Sequence, residues 1–308
     1  MSFSSNVKEE LSRNETSARH CRLAELAGFL KFCGDIRQEN GHYRVQIHTE
    51  MVYVAKRFYT LIKKVFNMQA KIEISRNDFL KKSRNYTVAI DNHPDCVLLL
   101  KAVKLLEHED FGLVLQNTCC KRAFMRGAFQ AAGSMSDPEK NYHFEIVSTD
   151  KKTADQLKEV LNFFDLDAKI VLRKKYYVVY IKEGAKISDV LSLMGAHVAM
   201  MKFENVRILK EMRNRVNRRV NCETANISKT VSAAVKQVED IKYIMNHKGL
   251  HHLNQGLQDI AYLRLENPEA TLKELGDMLD PPVGKSGVNH RLKKISKMAE
   301  EMRLGGRE

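Results

Sequence analysis

The sequence predicts an α+β protein in which two copies of an α-β-α-β-β unit precede an all-α domain. The main observation is a duplication, because residues of the first third of the chain return 99 positions later over about forty residues. The identical pairs are Gly28 and Gly127, Gly34 and Gly133, Tyr43 and Tyr142, Ile47 and Ile146, and Ala55 and Ala154. The length of 308 residues suggests about two domains. After the second copy, apolar residues recur at helical spacing, which predicts the all-α domain.

The first repeat begins with a helix, because Leu23, Leu26, Ala27 and Leu30 form a single apolar face. Gly28 lies on the same helix, where glycine costs about 1 kcal/mol relative to alanine. A close approach of another helix would explain this glycine, and the second copy contains the matching helix. We therefore expect the two repeats to pack together through these helices.

The remaining elements follow in the same order in both repeats. Alternating apolar and polar residues predict strands, and apolar residues three and four positions apart predict helices. In the first repeat (20–100) these are a strand at 43–47, a helix at 52–66 and strands at 71–74 and 85–90, with a long loop at Arg76–Arg84. In the second repeat (119–195) they are a helix at 122–132, a strand at 142–147, a helix at 151–164 and strands at 168–172 and 176–181.

The strands of both repeats are expected to form a joint sheet whose outward face has mixed charge. Its expected side chains are Arg44, Gln46, His48, Lys71, Glu73, His143, Glu145, Lys169 and Arg173. Because bases and acids occur together, this face indicates neither DNA nor a protein as its ligand. The ligand of the repeats is therefore left open by the sequence.

A helical linker at 196–220 is predicted to close the repeat domain (1–220), and a helical domain is predicted to follow at 221–308. Asn226 is expected to cap a long amphipathic helix that opens this second domain. Another helix is predicted at 255–266.

A helix-turn-helix motif is predicted at 271–303. Thr271 and Glu274 have the spacing of a capping box, which begins a short helix. The turn-forming segment Asp280–Gly284 follows, and then a helix at 286–302. A short helix, a brief turn and a second, base-rich helix form the anatomy of a motif that binds in a DNA groove. An ordinary helical hairpin with a cationic exposed face has the same pattern, so this interpretation remains open.

The last predicted helix carries residue types that suit a DNA groove. An apolar stripe of Val288, Leu292 and Ile295 is expected to pack against the short helix of the motif. Short polar side chains can reach base edges, and basic side chains can hold phosphates. The candidate base-reading residues are Ser286, Asn289 and His290, and the candidate phosphate-binding residues are Lys285, Arg291, Lys293, Lys294 and Lys297.

Charge supports a polyanionic partner. The chain has a formal net charge of +13, which together with two basic segments favours nucleic acid as that partner. Two segments depart from the general mixing of charges. Residues 202–219 hold seven lysines and arginines against Glu204 and Glu211, and residues 285–297 hold five bases and no acid. A solvated linker helix explains the first segment as well as DNA contact does.

Signals for other kinds of site are weak. The six cysteines show no CxxC pair and no framework spacing, which favours reduced thiols over zinc ligands or disulfides. Gly284–Ser286 lacks the first glycine of a phosphate-binding P-loop, because position 279 is Leu279. No apolar run is long enough for a membrane helix. We therefore predict no cofactor, no metal, no membrane contact and a cytoplasmic location.

Residues 22–36 and 122–136 resemble the LAGLIDADG motif of homing endonucleases, most clearly at Leu26–Gly34. In that family two such helices pack face to face, sheets form a saddle on DNA, and an acidic residue before the final glycine binds the catalytic metal. In this sequence those positions are Cys33 and Ala132. Neither offers an oxygen ligand to magnesium. The resemblance therefore implies the fold without the cleavage chemistry.

The whole chain is similar to the WhiA family of bacterial regulators. The similarity is most specific at Phe203–Ile208, Val216–Asn226, Leu263–Ala270 and Lys285–Leu292. It implies a degenerate LAGLIDADG domain joined to a helix-turn-helix domain, with DNA binding and no nuclease activity. It also implies a role in bacterial cell division and chromosome segregation, or in sporulation septation in filamentous actinobacteria.

Three functions are compatible with the sequence. The favoured one is a sequence-specific regulator that binds double-stranded DNA and is associated with the nucleoid. The second is an interaction hub, whose repeat domain binds another regulatory protein while DNA contact is incidental or non-specific. The third is a working endonuclease, which the missing acids disfavour. The target site, the direction of regulation and the oligomeric state are left open.

Overall fold

The computed structural model describes residues 2–76, 84–106 and 111–305. The chain divides into two compact units, residues 1–210 and 211–308. This division falls ten residues before the domain boundary that the sequence predicts at 220/221. Most of the predicted loop Arg76–Arg84 lies outside the described residues.

The first unit contains both repeats, with the same order of elements in each. Helix α1 (Phe3–Ser12) comes before the repeats. The first repeat comprises α2 (Arg19–Cys33), β1 (Gly34–Glu39), β2 (His42–Thr49), α3 (Val52–Phe66), β3 (Lys71–Arg76), β4 (Arg84–Ile90) and α4 (His93–Ala102). After a short 3-10 helix (Phe111–Leu115), the second comprises α5 (Thr118–Ala132), β5 (Gly133–Met135), β6 (Phe144–Ser148), α6 (Lys151–Asn162), β7 (Lys169–Arg173), β8 (Tyr176–Ile181) and α7 (Gly184–Met194).

Each repeat therefore has one strand more than predicted, and its core order is α-β-β-α-β-β. The additional strands, β1 and β5, directly follow the paired helices. The β1 sequence GDIRQE is polar and lies at the edge of its sheet, where four of its six residues are exposed. An exposed edge strand lacks the apolar alternation on which the prediction depended. The α+β class with two tandem repeats is confirmed.

The described strands form two separate antiparallel sheets rather than one joint sheet. Their strand orders are β1-β2-β4-β3 and β5-β6-β8-β7, so the two sheets are equivalent. Val45 pairs with Ile90 in the first sheet, and Ile146 pairs with Val179 in the second. These four side chains are buried, so each sheet packs one face against the helices of the unit. The predicted joint sheet is thus wrong.

The paired helices α2 and α5 pack closely through the duplicated glycines. A Cβ on Gly28 would lie 2.5 Å from the carbonyl oxygen of Phe124, and one on Gly127 would lie 2.1 Å from that of Glu25. Neither distance is compatible with a real side chain. The predicted close approach of the two helices is confirmed, and it explains why glycine is tolerated inside each of them.

A buried ionic network joins α2, α3 and α5. The Arg57 Nε and Nη2 atoms donate to the two carboxylate oxygens of Glu25 at 2.7 and 2.8 Å. Arg126 Nε and Gln130 Nε2 donate to the same carboxylate at 3.1 and 3.3 Å. All four side chains are buried. Because the carboxylate has several donors around it, the network satisfies a charge that would otherwise be costly to bury.

The remaining elements are helical. They are α8 (His197–His247), a 3-10 helix (Leu250–His252), α9 (Gln255–Glu266), α10 (Leu272–Asp277) and α11 (Lys285–Gly305). Asn226 lies inside α8 instead of capping a new helix, because no glycine or proline stands between Gly195 and Gly249 to end it. None of the described helices is both long and apolar enough to cross a bilayer.

Candidate nucleic-acid interface

Helix α10 begins at the predicted capping box. The Thr271 hydroxyl accepts a hydrogen bond from the Glu274 amide at 3.3 Å, and the Glu274 carboxylate accepts one from the Thr271 amide at 2.7 Å. This backbone hydrogen bond lowers the pKa of Glu274. The capping box is confirmed, and it fixes where the first helix of the motif begins.

The buried Arg264 side chain positions the loop that leads into α10. Its Nη1 atom donates to the carbonyl oxygens of Ala270 at 2.7 Å and Pro268 at 3.3 Å. Arg264 is 2 % exposed, and burial lowers the pKa of its guanidinium. Since a charged donor makes strong hydrogen bonds in such a site, Arg264 anchors the approach to the helix-turn-helix and takes no part in the exposed surface.

The turn between α10 and α11 is tight at Gly276. A Cβ there would lie 2.0 Å from the Val283 carbonyl oxygen and 3.1 Å from a methyl carbon of Val288. The Val283 amide also donates to the Gly276 carbonyl at 3.0 Å. Only glycine fits this close crossing, which sets how α10 and α11 meet.

Helix α11 buries the stripe that the sequence predicts. Val288, Leu292 and Ile295 are no more than 1 % exposed, and they share a core with Leu275 and Leu279 of the preceding segment. The opposite face is therefore held outward. The predicted packing of the motif is confirmed.

The outward face of α11 collects most of the candidate DNA-binding residues. Lys285, Ser286, His290, Lys293, Lys294 and Lys297 are exposed, and Asn289 is half-buried among them. At 3.6 residues per turn these positions occupy about half of the helix circumference. The first two helical turns carry Lys285 and the short polar side chains, and the next turns carry the other lysines. The face is thus basic and continuous.

Two of the candidate residues stand apart from this arrangement. Arg291 is half-buried on the flank of α11, and its Nη1 atom donates to the Gly256 carbonyl at 3.3 Å. Lys297 forms a long ion pair with Glu301, at 3.7 Å between Nζ and Oε1. Arg291 is therefore held by a contact with α9. The ion pair between Lys297 and Glu301 is exposed, so solvent weakens its attraction.

The second basic segment, residues 202–219, belongs to α8. Most of its side chains are exposed. Arg207 donates to Glu204 one turn away at 2.7 Å, and Arg219 pairs with Glu223 at 3.0 Å. These contacts are typical of a solvated helix, so the segment is a weaker candidate than α11.

On the sheet face of the repeats, the bases lie beside acids. Arg44 and Lys71 both pair with Asp91, at 2.8 and 3.3 Å. Arg173 and His143 both contact Glu145, at 3.3 and 2.9 Å. Of the other expected members of this face, His48, Glu73 and Lys169 are exposed. Gln46 is 8 % exposed and donates a hydrogen bond to Asp35. The sheet face therefore has the mixed charge that the sequence predicts, and most of its bases are paired with neighbouring acids.

The two positions that correspond to nuclease metal ligands lie at the C-terminal ends of the paired helices. Cys33 is the last residue of α2 and Ala132 the last of α5. Burial raises the pKa of the Cys33 thiol to about 12, and the buried Lys8 ammonium interacts with it electrostatically. The nearby Asp35 already accepts hydrogen bonds from Arg37 and Gln46. A neutral thiol, a methyl group and a neighbouring ammonium do not fit a magnesium ion, which requires oxygen ligands.

At the other end of the paired helices, the structure brings together residues that the sequence prediction left apart. His20, Cys21, Cys119 and Cys120 place their potential ligand atoms within 4.8 Å of one another. The spacing rules for zinc sites missed them because the two pairs are distant in sequence. The duplication could have found them, since His20 and Cys119, and Cys21 and Cys120, are also 99 positions apart.

Comparison with known proteins identifies the family. Three family models cover nearly the whole chain: a WhiA N-terminal LAGLIDADG-like domain at residues 19–106, a WhiA LAGLIDADG-like domain at 121–213 and a WhiA C-terminal helix-turn-helix domain at 216–299. A protein of Lachnoclostridium phytofermentans called "Probable cell division protein WhiA" is 53% identical, over 98% of this chain and 100% of its own length. The chain belongs to the WhiA family.

Further WhiA proteins match over their full length. A protein of Alkaliphilus oremlandii with the same name is 46% identical, over 99% of both chains. Among solved structures, full-length DUF199/WhiA from Thermatoga maritima covers 98% of this chain and 99% of its own, with 26% identity and a TM-score of 0.57. The WhiA match confirms the order of the parts, two LAGLIDADG-like repeats followed by a helix-turn-helix.

Proposed function

We propose that this chain is a sequence-specific DNA-binding regulator that acts in bacterial cell division and chromosome segregation. The observation that carries the proposal is the exposed face of α11, which presents bases and short polar groups with no acid from residue 285 to 297. The family supports the cellular role, because its members are called probable cell division proteins. Binding to chromosomal DNA would associate the protein with the nucleoid in the cytoplasm.

In this proposal α11 lies in the major groove of double-stranded DNA. Ser286, Asn289 and His290 are near the start of the helix, from which recognition helices contact base edges. An asparagine amide can contact adenine in a bidentate manner. Lys293 and Lys294 follow one turn later and would hold phosphates. If the four exposed lysines of α11 meet phosphates, affinity should fall roughly 10²-fold between 50 and 200 mM salt.

We further propose that the repeat unit has no nuclease activity. Cys33 and Ala132 supply no oxygen ligand at the positions where LAGLIDADG enzymes hold their metal. Incubation of the full chain with plasmid and magnesium tests this point. We expect the plasmid to remain supercoiled, and magnesium-dependent nicking or linearisation would contradict it.

A second function is favoured by the sheet face of the repeats. Asp91 and Glu145 each compensate two bases there, and a compensated surface suits a protein partner better than a polyanion. The repeat unit would then bind another regulatory protein while α11 binds DNA. The two functions are compatible, because they use different units of the chain.

Footprinting on genomic DNA with the full chain tests the proposed function. We expect discrete protected sites that share a motif, at moderate salt. Uniform protection irrespective of sequence would show that the protein binds the chromosome non-specifically, and would contradict sequence-specific binding. Absence of protection would leave the interaction role as the better account.

A further inference from the structure

A compact group of sulfur and nitrogen ligands lies at the N-terminal ends of the paired helices. His20 and Cys21 belong to the first turn of α2, and Cys119 and Cys120 belong to the first turn of α5. The His20 Nδ1 atom is 3.2 Å from Cys120 Sγ, 3.4 Å from Cys21 Sγ and 3.9 Å from Cys119 Sγ. One imidazole nitrogen is thus central to three thiols.

These distances match the edges of a tetrahedral zinc site. Zinc binds cysteine sulfur at about 2.3 Å and histidine nitrogen at about 2.0–2.1 Å, so tetrahedral geometry separates nitrogen and sulfur ligands by about 3.6 Å and two sulfurs by about 3.8 Å. The three observed distances from the imidazole nitrogen to sulfur, 3.2, 3.4 and 3.9 Å, lie on both sides of this nitrogen–sulfur separation. All four ligand atoms lie within 4.8 Å of one another. Shifts of a few tenths of an ångström would therefore complete the coordination.

Burial raises the pKa of the Cys21 thiol to about 12 and also raises the pKa of Cys120, so zinc binding would release protons from these thiols. The N-terminus of a helix carries a partial positive charge, which lowers the cost of a nearby anion. Here two helices of 15 residues each begin at the same group of cysteines. Arg22 and Lys121 directly follow the two ligand pairs. Three thiolates, one imidazole and a divalent zinc ion would carry a net charge of −1, which the positive ends of the two helices would partly offset.

Burial divides the four ligands into an inner and an outer pair. Cys21 and Cys120 are 5 % and 3 % exposed, so they lie within the core of the unit, whereas His20 and Cys119 are exposed. An ion from solvent would meet the outer pair first and the inner pair last. The duplication produces this arrangement directly, because each repeat contributes one inner and one outer ligand from equivalent positions.

We propose that His20, Cys21, Cys119 and Cys120 bind one zinc ion that clamps the two repeats together. Soft sulfur ligands select zinc over magnesium or calcium, and four protein ligands form a closed structural site without a free position for a reactant. The site is distinct from the nuclease position. Cys21 and Cys33 are twelve residues apart on α2, which places them about 18 Å apart along the helix.

Cobalt and zinc binding to the reduced full chain test the proposal. The protein is stripped with a chelator, titrated with Co²⁺ to record its absorption spectrum, and then loaded with zinc for metal analysis after gel filtration. We expect one zinc per chain and the intense thiolate-to-cobalt and d–d bands of tetrahedral coordination. Zinc should also raise the melting temperature of the protein.

A matched pair of variants separates the site from general effects of cysteine loss. Cys119→Ser removes an exposed ligand, and Cys222→Ser removes an exposed thiol outside the group. We expect Cys119→Ser to lower zinc affinity by at least about tenfold and to lose the cobalt bands, while Cys222→Ser behaves as the native protein. Circular dichroism of both variants verifies that they are folded.

Three outcomes would overturn the proposal. The first is a reduced, folded chain that takes up no more zinc than Cys119→Ser. The second is a cobalt spectrum without thiolate bands. The third is a disulfide among Cys21, Cys119 and Cys120 in protein whose thiols were alkylated at cell lysis, since it would show that the group is used for redox chemistry.

Discussion

The helix α11 and the repeat unit use their charged residues in opposite ways. In α11 the lysines are exposed on one face, and no acid occurs among residues 285–297. In the repeat unit, Arg57 and Arg126 are buried against Glu25, and the sheet-face bases Arg44 and Lys71 share Asp91. A net charge of +13 therefore does not by itself locate a DNA-binding surface, because part of that charge stabilises the fold.

This difference predicts a separation of effects. Removing a charge from the buried network should change the free energy of unfolding, since an uncompensated buried charge is costly. Removing exposed charges from α11 should leave folding nearly unchanged, because exposed pairs are worth little. The same exposed charges should matter most for DNA affinity.

The largest expected effect is that of Glu25→Gln. This change leaves Arg57 and Arg126 buried without a counter-charge, and we expect the repeat unit to lose about 3–5 kcal/mol of unfolding free energy. Denaturant unfolding measures the loss. The control is Glu15→Gln, which removes an exposed partner of Lys64 and should change little. Equal effects of the two substitutions would contradict the importance of the buried network.

A pH dependence follows from Lys8. Burial lowers the pKa of Lys8 to about 8, whereas a lysine in the unfolded chain titrates near 10.4. Between these values the unfolded state binds more protons, so the unfolding free energy should rise with pH, by roughly 2–3 kcal/mol. Lys8→Met should remove this increment.

Because the Lys8 ammonium also acts on the pKa of Cys33, the effect of Lys8 is isolated by comparing Cys33→Ser with the Cys33→Ser and Lys8→Met double variant. The pKa of Cys33 is raised to about 12, so its titration lowers stability at high pH and opposes the lysine. Both proteins of this comparison lack Cys33. Parallel stability curves from pH 8 to 10.5 would show that Lys8 is not buried as an ammonium.

The next effect concerns the turn of the helix-turn-helix. Gly276→Ala places a methyl group 2.0 Å from the Val283 carbonyl oxygen, and we expect a cost of about 1–3 kcal/mol. DNA affinity should fall as well, because α11 would no longer meet α10 in the same way. Gly284→Ala is the control, since a Cβ there has no described heavy atom within 4 Å. Similar thermal unfolding of the two variants would contradict the tight crossing.

The smallest expected change in free energy is one of DNA binding, and it comes from a direct comparison of the two basic surfaces. We expect Lys293→Gln with Lys294→Gln to weaken duplex binding by about tenfold and to reduce the salt slope by about 2, as for the loss of two phosphate contacts. Arg44→Gln with Lys71→Gln removes the same charge from the sheet face and should change affinity by less than about threefold. Fluorescence anisotropy at several salt concentrations measures both. A larger loss from the sheet pair would move the DNA surface to the repeats.

Elements with strong periodicity and clear ends could be predicted from the sequence. Helices 52–66 and 255–266 and the strand 176–181 have the bounds that were predicted. Asn67 ends the first helix in a left-handed conformation, and Asn254 caps the second through the Leu257 amide. Local residues determine these ends, so a local pattern is sufficient to find them.

Features that depend on tertiary context escaped prediction. The edge strands β1 and β5 are held by pairing with β2 and β6. The first is polar and mostly exposed, and the second has only three residues, so neither gives a clear period of two. The cap at Asn226 was expected from residue type alone, yet the surrounding segment lacks any residue that ends a helix. In the candidate DNA surface, the packing of Arg291 on Gly256 required the position of α9. Equally, the four zinc ligands meet only because α2 and α5 pair.

Selection of bound sequences from random double-stranded DNA tests the central claim, that α11 reads base sequence, most directly. The full chain is compared with its Asn289→Ala and His290→Ala double variant. We predict that the native chain enriches one motif, and that the variant retains affinity within about threefold but loses preference at the positions these side chains contact. Enrichment of the same motif with equal strength by the variant would contradict the reading of DNA by this helix.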